Sequence, residues 1–165
     1  MTQIRILPAA QRDIDFINAV YMENIEALHG APRSRETWAG LLAQPDTVYY
    51  IVYTTEPVGW FRLDKEAEGL WLGMLQIRPD CQRRGVGRAV LAQAERLAAQ
   101  WNYRSLGIHT TKDNEPAQGL YTAPGLVNIH IHGCNGKHIC NDPLACSKYL
   151  LARGETSVLA TMSLT

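Results

Sequence analysis

The change of hydrophobic spacing between Gly69 and Trp101 constrains the fold of this chain more than any other feature. Residues 69–79 read GLWLGMLQIRP and predict a long strand, whereas residues 85–101 read GVGRAVLAQAERLAAQW and predict an Ala- and Leu-rich helix. Residues 105–110 (SLGIHT) predict a further strand. The order strand, helix, strand indicates parallel pairing of the two strands around that helix.

The residues before Gly69 predict an antiparallel sheet preceded by two helices. Apolar side chains recur at helical spacing over residues 10–30, where Gly30 is the expected end of the first helix. Ser34 is the expected N-cap of the second helix. Three segments rich in β-branched and aromatic residues are expected to form the other strands, namely residues 4–8, 47–54 and 58–64. The fold class is therefore α/β, or α+β with a mixed sheet.

The overall composition sets limits on function. A chain of 165 residues with 46% hydrophobic residues suits one domain with a core of its own. Its 16 basic and 16 acidic residues balance, which argues against nucleic-acid or membrane partners. Because no signal sequence and no apolar run of about 20 residues is present, we expect a soluble, cytoplasmic protein with reduced thiols.

The turn between the long strand and the long helix carries the clearest chemistry. Gly85 and Gly87 remove side chains where the backbone enters the helix, so amide groups can point together at a ligand. The helix N-terminus adds partial positive charge, and three arginines add full charges, which together favour a phosphate or pyrophosphate. The alternative is a glycine-rich turn with a solvated basic rim; the arginines are Arg83, Arg84 and Arg88.

Two segments of this region resemble those of one enzyme family. Residues 82–87 (QRRGVG) fit the Q/R-x-x-G-x-G/A signature of the GCN5-related N-acetyltransferases (GNAT), and residues 114–121 (NEPAQGLY) resemble their N-x-x-A-x-x-L-Y segment. The resemblance covers about residues 3–121, extending to 127 at most, and assigns an acetyltransferase domain to residues 1–125. It implies the acyl-CoA N-acyltransferase fold, with a sheet that splays after the fourth strand and acetyl-CoA in the opening. The cofactor-binding residues it implies are Gln76, Ile77, Gln82, Arg83, Arg84, Gly85, Val86, Gly87, Arg88, Asn114 and Tyr121.

The resemblance also implies a mechanism of direct attack by an amine on the acetyl thioester. Tyr121 matches the tyrosine that protonates the departing thiolate in many members, although a structural tyrosine is the alternative. Asn114 matches an asparagine that bonds the donor arm or the strand edge, and capping of the following helix is its alternative role. A backbone amide near Gln76 or Ile77 is expected to polarise the acetyl carbonyl. The general base is not identified: Asp64, Glu66, Glu68 and His109 are considered, but each is of a type that is more often solvated or structural than catalytic.

The C-terminal segment resembles a different family. Residues 123–165 are similar to the opening of the barrel in N-acetylglucosamine-6-phosphate deacetylases, where His130 and His132 would match an H-x-H metal pair. A barrel needs about 250 residues, so deacetylase activity is not expected and no metal is assigned. Residues 126–165 are therefore expected to be an atypical strand-helix-strand tail. Its first strand is expected to dock parallel to the strand at 105–110, which leaves the last strand without an obvious partner.

Three functional hypotheses follow. The leading one is an N-acetyltransferase that uses acetyl-CoA and a small-molecule or peptide amine, as a monomer or a homodimer. The second is an impaired chimera that binds CoA without turnover. The third is a metal-binding protein or deacetylase fragment, because six His and Cys side chains lie between His130 and Cys146.

Overall fold

The computed structural model describes residues 3–26, 28, 30–67, 69–103, 105–111, 127–133 and 155–163. Within these residues the chain forms a mixed seven-stranded sheet with helices on both faces. The strands are β1 (Arg5–Pro8), β2 (Thr47–Tyr53), β3 (Pro57–Lys65), β4 (Leu70–Ile77), β5 (Ser105–Thr111), β6 (Val127–Gly133) and β7 (Glu155–Ser163). The helices are α1 (Ile14–Glu23), α2 (Arg35–Leu42) and α3 (Val86–Gln100), with short 3-10 turns at Gln11–Asp13 and Pro79–Cys81.

The strands run in the order β1-β2-β3-β4-β5-β7-β6. The first four pair antiparallel, and β5 pairs parallel to β4 through the α3 crossover. The predicted mixed α/β sheet and the parallel pair around α3 are thus confirmed. No helix of the described part of the chain is long and apolar enough to cross a membrane.

The first helix is shorter than its apolar spacing predicts. α1 ends at Glu23 instead of continuing to Gly30, and residues 24–26 form a turn. Asn24 closes the helix and directs its side chain toward the end of β4 instead. Ile25 and Leu28 still pack against the core on this face, so their apolar character reflects burial in an irregular connection. α2 begins as predicted, because the Ser34 hydroxyl accepts the Thr37 backbone N–H at 3.1 Å.

Successive side chains of a strand point to opposite faces of the sheet, so the core is divided into two parts, one on each face. One face packs under α1 and α2, where Trp38 and Trp60 meet edge to face at 5.7 Å and are fully buried. The Trp60 indole N–H is satisfied by the Ile17 carbonyl oxygen at 3.1 Å. The other face packs under α3, whose buried side chains include Val90 and Ala94. Each helix is therefore fixed against one face by a one-sided apolar stripe.

The C-terminal strands differ from the predicted arrangement. β6 was expected beside β5 in parallel, but β7 occupies that position and pairs antiparallel with β5 over seven residues. β6 lies outside β7 and is also antiparallel to it. The nine-residue β7 offers every residue of β5 a partner, and antiparallel ladders are slightly more stable per residue than parallel ones. The last strand, which had no obvious place in the expected arrangement, is therefore paired on both sides. The expected helices at 114–121 and 142–154 lie outside the described residues.

The sheet opens between β4 and β5. These strands pair only from Leu70 to Leu72, opposite Leu106 to Ile108, so the second half of β4 has no ladder on its β5 side. At the paired end, Gly107 lies directly under the Trp71 indole, and a Cβ added to Gly107 would overlap that ring. This close approach fixes the two strands together at the point where they begin to diverge.

Replacement of Gly107 by Ala tests this contact. We expect Gly107→Ala to lower the free energy of unfolding by about 1–3 kcal/mol, because the added methyl group must displace the Trp71 ring. The matched control is Gly40→Ala, where nothing lies within 4 Å of the added Cβ in the middle of α2. That control is expected to stabilise by roughly 0.5–1 kcal/mol. Urea unfolding measures both, and equal effects of the two substitutions would contradict the role of the Trp71 contact.

Candidate active site

The loop that follows β4 turns sharply before it enters α3. Gln82 is extended, whereas Arg83 and Gly85 both have left-handed φ values, 61° and 81°. Gly85 is the N-cap of α3 and has no side chain to cap it. Glycine adopts such a φ without strain, and this explains why a glycine occupies position 85.

The first turn of α3 presents backbone amides to the opening in the sheet. The Ala89 N–H is the first to bond back into the helix, to the Gly85 carbonyl oxygen at 3.2 Å. The amides of Val86, Gly87 and Arg88 therefore precede the helical ladder, and no acidic residue lies in this turn. Free amides and the positive end of the helix form an arrangement that favours a phosphate or pyrophosphate.

Exposed arginines surround this turn. Arg83, Arg84 and Arg88 are exposed, and none makes an ion pair with another residue of the described ranges. Arg78 differs, because its guanidinium bonds to Asp80 at 2.8 Å and to Glu56 at 3.1 Å. The local positive charge available to an anion is thus carried by the three exposed arginines.

The end of β4 supplies the next part of the site. Gln76 is 5% exposed, and its side-chain oxygen accepts the Asn24 amide at 3.1 Å. The Arg78 N–H bonds to the Val58 carbonyl oxygen, and Ile77 faces Gly59 in the register. By the alternation of an antiparallel ladder, the Ile77 N–H and carbonyl then face the opening, whereas the Gln76 N–H faces β3. Of the two amides considered from the sequence, Ile77 is the one oriented to polarise a bound carbonyl.

Asn24 and Gln82 hold the Ile77 carbonyl oxygen. The Asn24 side-chain amide donates to it at 3.0 Å, and the Gln82 side-chain amide donates to it at the same distance. The Gln82 amide also lies 3.4 Å from the Asn24 side-chain oxygen. Sequence reasoning missed Asn24, since a single asparagine inside a helical pattern carries no signal of a contact 53 residues away.

A partly buried ion pair lies beside the point where the sheet opens. Arg62 and Asp64 on β3 are joined at 2.8 Å, and Asp64 covers Gly73, the bulged residue of β4 just past its pairing with β5. Burial raises the pKa of the Asp64 carboxyl, and the attraction of Arg62 opposes that rise. Burial lowers the pKa of Arg62, but Asp64 and Tyr49 together raise it, so that the net shift is upward.

A cavity of about 160 Å³ lies on the α2 side of this pair, at the end of the sheet where β2 begins and β3 ends. Tyr49, Arg62 and Asp64 line it. Burial raises the pKa of the Tyr49 hydroxyl, and the nearby Arg62 guanidinium opposes that rise. This cavity is at the opposite end of β3 from Gly59 and the Gly85 turn, so it is separate from the phosphate-favouring arrangement.

The remaining predicted site residues are placed unevenly. Of the four candidate bases, Asp64 lies in the ion pair, Glu66 follows β3, and the backbone of His109 belongs to β5. Glu68, Asn114 and Tyr121 lie outside the described residues. Gln76, Ile77, Gln82, Arg83, Arg84, Gly85, Val86, Gly87 and Arg88 are brought together along the end of β4 and the start of α3.

Metal ligands are not gathered in the described part of the chain. No group of three or more His, Cys, Asp or Glu side chains there could hold a metal ion. Burial and Asp80 raise the pKa of the Cys81 thiol. His130 and His132 lie on β6, where only the backbone is described, and the tail cysteines are outside the described residues.

Comparison with known proteins identifies this arrangement. The model of the acetyltransferase (GNAT) family matches residues 14–125, more than half of the chain. The chain belongs to the GNAT family. It is an N-acetyltransferase, and the resemblance stated from its β4–α3 loop is confirmed. A curated N-acetyltransferase of Lactobacillus delbrueckii subsp. lactis, uncharacterised and encoded in the pepI 3′ region, is 23% identical over 80% of this chain and 89% of its own.

Solved structures of the family share the fold of the GNAT chain. The PaiA N-acetyltransferase of Thermoplasma acidophilum in complex with coenzyme A has a TM-score of 0.71 at 13% identity, covering 98% of this chain and 99% of its own. The spermidine N-acetyltransferase of Vibrio cholerae, in complex with CoA and spermine, has a TM-score of 0.76 at 15% identity, covering 99% and 97%. Both matches include the region of β6 and β7. At these identities they show the fold alone.

Removal of one partner of this partly buried ion pair is expected to destabilise the GNAT domain. Asp64→Ala leaves the largely covered Arg62 guanidinium without its carboxylate. We expect a loss of about 3 kcal/mol in the free energy of unfolding, the lower end of the range for buried pairs. The double variant Arg62→Met/Asp64→Leu should recover most of that loss, because it removes both charges together.

The exposed pair of Asp15 and Arg35 provides the control for this measurement. Asp15→Ala should change stability by no more than about 0.5 kcal/mol. Urea unfolding at neutral pH measures all three variants. If Asp64→Ala behaves like Asp15→Ala, the pair does not stabilise the end of β3.

Proposed function

We propose that the opening between β4 and β5 binds acetyl-CoA, with its pyrophosphate on the backbone amides of Gln82–Arg88. The observation that carries the proposal is the Gly85 turn, which exposes the first amides of α3 at the end of the strand that loses its neighbour. The exposed Arg83, Arg84 and Arg88 add the charge that a pyrophosphate requires. The resemblance to the family and the CoA bound in similar structures support the same ligand.

The reaction we propose is a direct transfer of the acetyl group to an amine. The deprotonated amine attacks the thioester carbonyl, whose oxygen is polarised by the Ile77 N–H on the open side of β4. The bond between carbon and sulfur then breaks, and the CoA thiolate leaves with a proton from Tyr121. The attacking nitrogen loses one proton to solvent, and Tyr121 regains its proton from solvent, so that the products are the amide and the CoA thiol. The roles of Tyr121 and Asn114 are inferred from the resemblance of residues 114–121 to the family segment.

The acceptor is proposed as a primary amine of a small molecule or peptide. A similar solved structure is that of a spermidine N-acetyltransferase with spermine, so polyamines belong in the first set of acceptors to be tested. An N-terminal alanine peptide and L-amino acids complete that set, since a ribosomal-protein-S18-alanine N-acetyltransferase of Escherichia coli has the same fold.

Residues 126–165 are proposed to be a tail of separate origin on the acetyltransferase domain of residues 1–125. The support is the likeness of residues 123–165 to the deacetylase barrel opening. Zinc in stoichiometric amount after purification, lost on His130→Ala/His132→Ala, would favour the metal-binding alternative.

Donor binding is the first test of the proposal. Acetyl-CoA at about 100 times its Kd should raise the free energy of unfolding by about 2.7 kcal/mol and so raise Tm. Arg83→Ala/Arg84→Ala should weaken binding at least about tenfold, because charged hydrogen bonds contribute about 1.5 kcal/mol or more each. Arg96→Ala, on the exposed face of the same helix away from the loop, should leave the affinity unchanged. No Tm shift at millimolar acetyl-CoA would reject the proposed site.

Turnover is the second test. Thiol release from acetyl-CoA is measured with each amine of the set, and at least one should accelerate it above the rate without amine. Tyr121→Phe should then lower kcat at least about tenfold while the Kd of acetyl-CoA stays within a factor of two. Unchanged kcat in Tyr121→Phe would assign that residue a structural role. Binding without turnover for every amine would favour the impaired chimera.

A further inference from the structure

The backbone groups at the end of β4 need hydrogen-bond partners other than a neighbouring strand. After Leu72 no strand of the described residues pairs with β4 on the β5 side, so the outward carbonyl groups of β4 have no ladder partner there. At Ile77, two side chains replace the missing backbone partner: the carbonyl oxygen accepts hydrogen bonds from the Asn24 and Gln82 side-chain amides, each at 3.0 Å. Two donors on one oxygen use both of its lone pairs.

The two donors come from distant parts of the chain. Asn24 ends α1, whereas Gln82 is the first residue of the loop that turns into α3. They also meet each other, because the Gln82 amide lies 3.4 Å from the Asn24 side-chain oxygen. A third bond, from the Asn24 amide to the Gln76 side-chain oxygen at 3.1 Å, fixes the Asn24 side chain on the buried side.

This network bears directly on the groups that face the ligand. The Ile77 N–H and the amides that follow Gln82 are the ones assigned above to the acetyl carbonyl and the pyrophosphate. Their directions depend on the peptide planes at the end of β4 and on the start of the loop. Asn24 contacts both of these segments but belongs to neither, and it is not part of the Gly85 turn.

We propose that Asn24 is a positioning residue for the donor site, acting as a substitute for the missing strand neighbour of β4. It holds the Ile77 carbonyl and the Gln82 side chain so that the amides of the opening and of the loop keep one arrangement before acetyl-CoA binds. The proposal rests on the proposed function, since the loop must bind acetyl-CoA. An arrangement formed in advance lowers the cost of ordering on binding and therefore raises affinity.

The test compares variants that separate hydrogen bonding from packing. Asn24→Ala removes the side chain, whereas Asn24→Asp keeps its size but places a carboxylate against the Ile77 and Gln76 oxygens. The matched control is Asn18→Ala on α1. The Asn18 side-chain oxygen accepts the Trp38 indole N–H at 2.8 Å, on the α2 side of the helix. All variants are first shown to be folded by their circular dichroism and Tm, and the Kd for CoA is then measured by calorimetry at 25 °C.

We expect both Asn24 variants to weaken CoA binding about tenfold, the loss expected when hydrogen bonds of a partly buried amide are removed. Asn18→Ala should lower Tm and leave the Kd within a factor of two. The deficit of Asn24→Asp relative to the wild type should shrink as pH falls, because the protonated carboxyl regains one donor. A residue with only a structural role would not produce this pH-dependent recovery.

A double-mutant cycle supplies the last readout. Gln82→Ala and Asn24→Ala share one acceptor oxygen, so the double variant should lose less affinity than the sum of the two single losses. Unchanged CoA affinity in both Asn24 variants, with a wild type that binds, overturns the role of Asn24 alone. A wild type that binds no CoA overturns the proposed function and this proposal together.

Discussion

The loss of a neighbour by β4 halfway along its length is the constraint on which the rest of this structure depends. β4 is paired on both sides as far as Leu72, where the Trp71 ring over Gly107 holds β5 close. Beyond that point its backbone groups face an opening, and such groups require partners in any buried or half-buried site. The opening, the side-chain network at Ile77 and the amide-lined turn into α3 are all consequences of this one divergence.

Packing on both faces stabilises the sheet although β4 and β5 diverge. The Trp38 and Trp60 pair anchors α1 and α2 on one face, and the apolar stripe of α3 anchors the other. Because both faces are covered, the β1–β4 meander is stable without a full ladder from β5. α3 can then hold its N-terminus at the end of β4, where the Gly85 turn leaves the first amides free of capping side chains.

The sequence predicted the elements that depend on local pattern. The strands from Thr47 to Ile77, the Ser34 cap, α3 and the Gly85 turn follow from alternation, capping chemistry and glycine conformational freedom, and the structure confirms them. The resemblance to the GNAT family rested on the same turn, which explains why it was visible without coordinates.

Contacts between distant residues could not be predicted in the same way. α1 ends at Glu23, where Asn24 donates a hydrogen bond to the end of β4, whereas the helical spacing of apolar residues continues past this point. The position of β7 between β5 and β6 depends on which edge offers the longer ladder, and the strand-helix-strand pattern of the tail favoured the other order. The cover of Gly73 by Asp64 required the bulge in β4. A glycine inside a strand pattern is a local signal of such a bulge, but it does not indicate which side chain covers it.

Hydrogen exchange of the backbone amides, with and without saturating acetyl-CoA, tests the central claim most directly. If the opening of β4 and the turn into α3 form the donor site, exchange should slow in peptides that cover residues 76–88. It should stay unchanged in the hairpin of β2 and β3. Protection confined to that hairpin, or no protection of residues 76–88 at saturation, would contradict the account.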